Sequence, residues 1–344
     1  MTRTEGPRHL ATPPAAAKVG EGELGSASGT RAESASRVLG ACVLLAGGLK
    51  PSPLTAAAGI STLDLFVGPG TTLLERWIGI LQPLFSDLGK ADIRVIHCDA
   101  TPPPSAPTTR PAASVVIERD RQRYRGPAGV TRDFCDDLGP EADVLIAEGA
   151  RLLGCDLAGF AADHAQSGAD VTVATNPDGS PAGLYIARCS TLAMVPQRGF
   201  MDLKEQWLSR VVAAGLNVRV FMLAAPGAPA LRTRAQFLRA CFAMQPHATA
   251  SPWHAHGFTR GVLVRGRAGN IIARGAEVDP TALLAHTIIM PGARVGAGAV
   301  VARSILCPGA RINPGEEIVD AVVTADGVHF DSEANPRNPK ERAR

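Results

Sequence analysis

Two patterns of apolar positions follow one another through most of the chain. Short apolar runs of strand length cover residues 38–45, 92–98, 142–147, 171–175, 183–187 and 217–223. Stretches with helical spacing lie between them, at 71–88, from near 131, and at 157–166, 203–214 and 234–244. Strands that alternate with helices in this order predict βαβ units, and therefore an α/β domain with a Rossmann-like, mostly parallel sheet. Ligands of such sheets bind at the carboxyl ends of the strands.

The helix predicted at 203–214 has the best-defined ends. Asp202 stands at its N-cap, Glu205 follows in the first turn, and Gly215 supplies a left-handed stop. The apolar stripe of the 71–88 helix is interpreted as core rather than as a cofactor-binding surface.

The apolar period changes in the C-terminal segment. Residues 286–302 and 303–319 repeat one pattern with a 17-residue phase, and Pro-Gly recurs at 291–292 and 308–309. Within each unit, apolar residues recur six positions apart, which predicts one small or aliphatic side chain inside at each corner of a triangular coil. The predicted interior residues are Val278, Leu284, Val295, Val301, Ile312 and Ile318. A Gly/Pro-rich loop would not produce this phase, so the pattern predicts a short parallel β-helix of about three coils.

These patterns divide the chain into five segments. Residues 1–36 are rich in Ala, Pro, Gly, Ser and Thr without periodicity and predict a disordered tail. The α/β domain is predicted at 37–250, a linker at 251–274 and the β-helix at 275–328, with a flexible tail at 329–344. His254 and His256 could suggest a metal site, but no third ligand lies near them in the sequence, and a linker explains the segment better.

Charge and cysteine content narrow the function classes. The net charge is only +3, and no dense Lys/Arg block appears, so no nucleic-acid partner is expected. Residues 119–125 alternate arginine with other residues, which predicts a solvated strand edge or an anion-facing rim. Seven scattered cysteines without C-x-x-C spacing argue against a disulfide framework or a zinc site. No apolar run suits a membrane span or a signal peptide, so a cytoplasmic protein with no membrane partner is expected.

Several segments carry a family likeness. Residues 43–55 run from a strand into Gly47-Gly48 and then Pro53-Leu54-Thr55. This resembles the opening signature of the sugar-1-phosphate nucleotidyltransferases. Residues 72–77 are similar to that family's next helix, 126–130 to its base-recognising loop, and 180–185 to its sugar-contacting strand. Residues 202–206 resemble a late helix of the mannose-1-phosphate guanylyltransferase branch, which often carries a C-terminal left-handed β-helix of hexapeptide repeats.

The resemblance spans about residues 38–325 and implies roles for particular residues. A nucleotide would bind at Gly47, Gly48, Lys50, Gly126, Ala128 and Gly129, and a sugar at Gly183, Tyr185 and Lys204. Lys50 would be the catalytic cation. Two of these residues also have plainer interpretations, because Tyr185 suits a sheet and Lys204 suits a solvated helix surface.

The chain departs from the family pattern where Mg²⁺ would bind. The family's metal-binding aspartates fall on Ala150 and Ala230, and the glycine loop is shorter and lacks its arginine. Mg²⁺ is the cofactor that the resemblance implies, yet no metal ligand is assigned here. Losing these carboxylates removes groups that stabilise charge on a triphosphate.

The expected function is therefore that of a nucleotidyltransferase-like protein, weakly active or inactive. The family reaction joins a nucleoside triphosphate and a sugar 1-phosphate to give a nucleoside-diphosphate sugar (NDP-sugar) and pyrophosphate. One alternative is a non-catalytic subunit that binds sugar nucleotides and forms a homo-oligomer, or pairs with a paralogue through the β-helix. A third is a hexapeptide acyltransferase, for which His286 is the candidate catalytic residue.

Overall fold

The computed structural model describes residues 39–48, 50–68, 70–85, 92–108, 114–122, 124–244 and 269–330. The predictions for the tail at 1–36, for His254 and His256, for most of the 251–274 linker and for residues 331–344 lie outside these ranges.

The first part of the chain alternates strands and helices. Its strands are β1 (Leu39–Leu45), β2 (Phe66–Gly68), β3 (Thr71–Thr72), β4 (Asp92–His97), β5 (Ser114–Arg119), β6 (Asp143–Glu148), β7 (Val171–Thr175), β8 (Pro181–Arg188) and β9 (Val218–Met222). Its α-helices are α1 (Pro53–Ala58), α2 (Leu73–Phe85), α3 (Gly126–Cys135), α4 (Ala158–Ser167), α5 (Cys189–Leu192), α6 (Leu208–Ala213) and α7 (Arg234–Ala243). A 3₁₀ turn covers Thr62–Asp64, and a π-helical turn, Leu203–Trp207, leads into α6.

Seven of these strands form one sheet in the order β5-β4-β1-β6-β8-β7-β9. All neighbours run parallel except β8, which is antiparallel to both β6 and β7. The predicted α/β fold with a mostly parallel sheet is therefore confirmed. The chain starts in the middle of the sheet, moves outward through β4 to β5, and returns to the other side of β1 at β6. That reversal opens a crevice above the carboxyl ends of β1 and β6.

The sheet is buried between two helical layers. Along β1, Cys42 and Leu44 pack towards α1, α2, α4 and α7, whereas Val43 packs towards α3, α5 and α6. Successive side chains of a strand point to opposite faces, so both faces of β1 must be apolar. This explains the continuous apolar run that marks β1 in the sequence.

Two local predictions differ from the structure. The third helix begins at Gly126 rather than near Thr131, because Pro127 suits a first helical turn. Strand β5 ends at Arg119, so Arg121 and Arg125 do not lie on it. Arg125 is 1% exposed and paired with Asp133, which contradicts its assignment to a solvated edge.

The C-terminal part consists of short stacked strands. They are β10 (Ile271–Ile272), β11 (Glu277–Val278), β12 (Leu283–Ala285), β13 (Ile288–Ile289), β14 (Arg294–Val295), β15 (Val300–Ala302), β16 (Ile305–Leu306), β17 (Arg311–Ile312), β18 (Glu317–Val319), β19 (Ala321–Val323) and β20 (Val328–Phe330). They form three parallel sheets, β10-β13-β16-β19, β11-β14-β17 and β12-β15-β18, and β20 adds an antiparallel edge to the first.

In these sheets, each residue pairs with the residue 17 positions further along the chain, as the sequence repeat predicts. Ile271 pairs with Ile288, and Ile288 with Ile305. The predicted interior residues Leu284, Val295, Val301, Ile312 and Ile318 are all buried, and Val278 packs beside them. This arrangement is compatible with a parallel β-helix, and its first strand lies before the predicted boundary at 275.

The coils and the α/β part share one apolar core. Ile288, Ile305 and Val322, from the first coil sheet, pack in the same cluster as Leu54 of α1 and Phe237 of α7. Phe242 also meets His286 edge to face, with ring centroids 5.7 Å apart. Helices α1 and α7 therefore rest on the stacked coils.

Within the described ranges, every helix is too short or too polar to cross a membrane.

Candidate functional site

A cavity of about 580 Å³ lies at the carboxyl ends of β1, β4 and β6. Its floor is the turn after β1, and one wall is formed by the loops that follow β4 and β6. Pro127, Val130 and Phe200 contribute an apolar wall. Its size and position suit a small organic ligand.

Gly47 and Gly48 both line this cavity, but for different steric reasons. A Cβ atom at Gly47 would lie 2.7 Å from Oγ1 of Thr101, so the protein itself requires glycine there. A Cβ atom at Gly48 would find its nearest neighbour, the carbonyl oxygen of Lys50, at 3.9 Å. Gly48 is thus the position where a missing side chain leaves open space for a ligand.

Lys50 lines the cavity and is exposed. It forms no hydrogen bond or ion pair with any residue that the structure describes. Beside it, a row of hydroxyl groups runs into the cavity wall. Ser52 Oγ lies 2.8 Å from Thr55 Oγ1, which lies 2.8 Å from Thr62 Oγ1. A free ammonium group beside hydroxyl groups suits an anionic, oxygen-rich ligand.

The segment predicted to recognise a base begins α3. Gly126 has φ +68° and lines the cavity, and a Cβ there would lie 2.5 Å from the Met201 carbonyl oxygen. Ala128 and Gly129 are buried below the surface and do not line the cavity. Gly129 instead leaves room for Arg125, whose side chain would lie 3.0 Å from an added Cβ.

The predicted sugar-contacting residues separate in space. Gly183, in β8, lies against the ion pair of Glu148 and Arg151, and a Cβ there would be 2.8 Å from both side chains. Tyr185 is buried against Trp207, and burial raises its pKa to about 12. Lys204 is exposed in the turn before α6 and does not line the cavity. Gly183 packs against Glu148 of the cavity wall. The backbone N–H of Lys204 donates to Asp202, another residue that lines the cavity, at 2.7 Å.

The two alanines at the positions where the resemblance implies metal-binding aspartates are neighbours. The backbone of Ala230 bridges to Arg151, and Leu231 N donates to the Ala150 carbonyl oxygen at 2.9 Å. Ala150 lines the cavity. The positions that the resemblance assigns to metal ligands therefore adjoin, but they carry methyl groups.

The remaining carboxylates of the cavity do not form a magnesium site. Asp202 Oδ1 accepts from the backbone N–H groups of Lys204 and Glu205, at 2.7 and 3.0 Å, and so caps the turn before α6. Asp120 lies beside α3, and burial raises its pKa. Glu148 is bound by arginines. Across the described residues, no cluster of three or more His, Cys, Asp or Glu side chains is placed to hold a metal ion, so the donor set does not fit Mg²⁺.

Arginines occupy the corner where the carboxylates would stand. Arg151 is 9% exposed; its Nη2 and Nε lie 2.9 and 3.0 Å from Glu148 Oε2, and its Nη1 donates to the carbonyl oxygens of Pro181 and Ala228. Arg232 Nη2 lies 3.6 Å from the same Glu148 oxygen, and Arg232 lines the cavity. Together with Lys50, these arginines make this corner cationic.

Sequence reasoning missed Arg232, Phe200 and the pairing of Glu148 with Arg151. Arg232 lies far from Glu148 in the sequence, and backbone pairing between residues 150–152 and 229–231 brings them together. Phe200 is 49% exposed on the cavity wall. The sequence did offer a signal, because Phe200 stands just before the predicted N-cap Asp202, where a loop is expected. An aromatic ring in such a loop can stack on a planar ligand.

His97 adds an unsatisfied polar atom at the cavity wall. Among the described residues, its Nδ1 is buried without a hydrogen-bond partner. The next residue, Cys98, donates from Sγ to the Gly48 carbonyl oxygen at 3.0 Å. A ligand group or a water molecule could satisfy the imidazole.

No protein-family model matches the chain, and no curated protein matches it. The functional conclusion therefore depends on the cavity and on the resemblance of the motifs that surround it.

Proposed function

We propose that this chain is a nucleotidyltransferase-like protein that binds a nucleoside triphosphate or an NDP-sugar in the cavity, with little or no nucleotidyl transfer. The fold type would be that of the nucleotide-diphospho-sugar transferases, followed by a left-handed β-helix of hexapeptide repeats. The protein would act in the cytoplasm, where its seven free thiols would stay reduced.

The observation that carries this proposal is the composition of the cavity at the strand reversal. The Gly48 turn and Lys50 lie at its floor, the alanines at 150 and 230 adjoin at one corner, and Phe200 stands on the apolar wall. Phosphate groups would lie against the turn and the cations, and a base or sugar ring would lie against the apolar wall.

The same composition disfavours rapid catalysis. Nucleotidyl transfer builds charge on a triphosphate, and transition-state stabilisation by a metal is worth several kcal/mol. The corner next to Ala150 offers no free carboxylate to hold that metal. We therefore propose a binding or regulatory role for the site.

Isothermal titration with ATP, GTP, UDP-glucose and GDP-mannose tests the binding site. We expect at least one of these ligands to bind, and the Lys50→Ala variant to bind it more weakly. Absence of binding at millimolar concentration would remove the nucleotide site.

Pyrophosphate release tests the proposed lack of activity. With a nucleoside triphosphate, a panel of sugar 1-phosphates and Mg²⁺, we expect release at or near the background rate. Brisk turnover by the unmodified chain would overturn the inactive assignment and leave the binding site intact.

The acyltransferase alternative receives little support. His286 has φ +50° at a coil corner and packs edge to face on Phe242, and it does not line the described cavity. Consumption of acetyl-CoA by the chain, lost in His286→Ala, would reverse this ranking.

A partner role for the coils is a second part of the proposal. Coil edges present unpaired backbone groups that can add a further strand. A homo-oligomer or a complex with an active paralogue would form there, and sedimentation of the purified chain with and without that paralogue would detect either one.

A further inference from the structure

The side chain of Arg232 is exposed, whereas its backbone is held by hydrogen bonds. Its carbonyl oxygen accepts from Leu54 N at 3.0 Å, and its N–H donates to Gln236 Oε1, also at 3.0 Å. The neighbouring Leu231 N binds the Ala150 carbonyl oxygen. The side chain is 62% exposed and lines the cavity. A change of its rotamer would therefore not require a change in the backbone.

Glu148 does not need Arg232. Its Oε2 lies within 3.0 Å of two nitrogens of Arg151, and Arg151 is held in turn by two backbone carbonyl oxygens. Arg232 is the more distant partner, at 3.6 Å. An exposed ion pair of this length contributes little to stability. Arg232 can therefore leave Glu148 for a stronger anion at small cost, because Glu148 keeps its buried partner.

Lys50 is the second cation that an anion in this cavity would meet. Leu54, whose N–H binds the Arg232 carbonyl oxygen, lies in the first turn of α1, shortly after Lys50. Both cations line the same cavity. An exposed arginine side chain and an ammonium group that has no partner among the described residues therefore line one cavity.

We propose that Arg232 and Lys50 bind the diphosphate of an NDP-sugar directly, so that binding needs no divalent cation; this inference rests on the proposed function. A guanidinium group forms two parallel hydrogen bonds with phosphate oxygens and remains charged at all physiological pH values. It can neutralise the phosphate charge that a metal ion would neutralise in a carboxylate-lined site. Arg151 also disfavours a metal ion here, because it forms an ion pair with Glu148. Among the described residues, Glu148 is the carboxylate that lines the cavity next to Ala150.

Titration with UDP-glucose, GDP-mannose and ADP-glucose, in EDTA and again in excess Mg²⁺, tests this inference. We expect the ligand that binds to do so in EDTA, with an affinity within about twofold of that in Mg²⁺. Inorganic pyrophosphate serves as the minimal probe and should compete in EDTA.

Three variants identify the group responsible. Arg232→Ala should weaken binding in EDTA by roughly tenfold or more, since hydrogen bonds to charged groups contribute about that much. Arg232→Lys should recover part of the loss, because it keeps the charge without the two-point geometry. The matched control is Arg239→Ala, an exposed arginine of α7 that does not line the cavity.

The outcomes separate this inference from the proposed function. Binding that requires Mg²⁺ would overturn the inference and leave the proposed function standing. Metal-free binding that Arg232→Ala weakens no more than Arg239→Ala would also overturn it. Failure of every ligand to bind under both conditions would overturn the proposed function itself. Circular dichroism of each variant confirms that its fold is unchanged.

Discussion

Arg234, the first residue of α7, donates a hydrogen bond from Nη2 to Oδ1 of Asp320 in the last coil, at 3.0 Å. The arginine side chain is 6% exposed, and it also donates to the carbonyl oxygen of Arg303. Arg303 binds the same carboxylate from the solvent side, with Nε 2.9 Å from Oδ1 and Nη2 2.6 Å from Oδ2. Asp320 therefore ties the α/β part of the chain to two successive coils.

Replacing Arg234 should destabilise the fold. We expect Arg234→Met to lower the free energy of unfolding by about 1–3 kcal/mol, because Asp320 and a carbonyl oxygen lose a buried donor. Arg303→Met is the matched control; its side chain is 56% exposed, so it should cost less than about 1 kcal/mol. Urea denaturation measures both. Equal losses in the two variants would contradict the buried role of Arg234.

The same carboxylate should contribute to acid sensitivity. The hydrogen bonds from Arg303, followed by the charges of Arg234 and Arg303, lower the pKa of Asp320 in the folded chain. A carboxylate with a lowered pKa stabilises the fold above the unfolded-state pKa of about 3.9 and loses this effect as the pH falls through its folded-state pKa. The stability difference between wild type and Asp320→Asn should thus be largest near neutral pH and vanish in strong acid. A difference that grows on acidification would refute this assignment.

The glycine pair of the cavity floor should respond unequally to alanine. Gly47→Ala drives a methyl group against Thr101 and should cost about 1–3 kcal/mol of stability. Gly48→Ala meets open space, so its stability should change by less than about 0.5 kcal/mol. Its ligand affinity should fall, however, if phosphate approaches the bare backbone there. Thermal unfolding with parallel titration separates the two effects, and unaltered affinity in Gly48→Ala would place the ligand elsewhere in the cavity.

The buried ion pair behind α3 should be essential to the fold. Arg125 Nε and Nη2 bind the two oxygens of Asp133 at 2.8 and 2.7 Å, and its Nη1 binds the Pro196 carbonyl oxygen at 2.7 Å. Removing one partner of a buried pair leaves an uncompensated charge, so Arg125→Met should cost about 3–5 kcal/mol. A double variant with Asp133→Leu should recover part of this loss. The exposed Arg239→Met in α7 is the control and should cost far less.

The fold was largely predictable where one local signal decided the element. The 17-residue phase predicted the coil register because each coil pairs only with its neighbours. Asp202 and Gly215 predicted the ends of the helical segment between them; Asp202 caps its first turn, and Gly215 has φ +72° just after it. The reversed direction of β8 also had a signal. Residues 176–180 are Asn-Pro-Asp-Gly-Ser, a turn too short for the crossover that parallel neighbours require.

The site was predictable only in part, because its chemistry comes from several loops. The turn at Gly47 and Gly48 could be placed, since the carboxyl end of a parallel strand is where ligands bind. The cationic corner could not, because Arg232 and Glu148 meet through backbone bridging between distant segments. Nor could sequence spacing reveal that Ala128 and Gly129 point into the protein, since that depends on where α3 begins.

The shared core under α1 and α7 also determines how this protein can be divided. Lys50 comes shortly before α1 and Arg232 shortly before α7, and both helices have their undersides covered by the coil sheet that begins at Ile271. A fragment that ends before the coils would expose the apolar faces of α1 and α7 to solvent. The loops that carry Lys50 and Arg232 would then lose the packing that supports them. The stacked C-terminal turns therefore support the candidate site, and we expect an insertion or a crosslink within them to change the shape of the cavity.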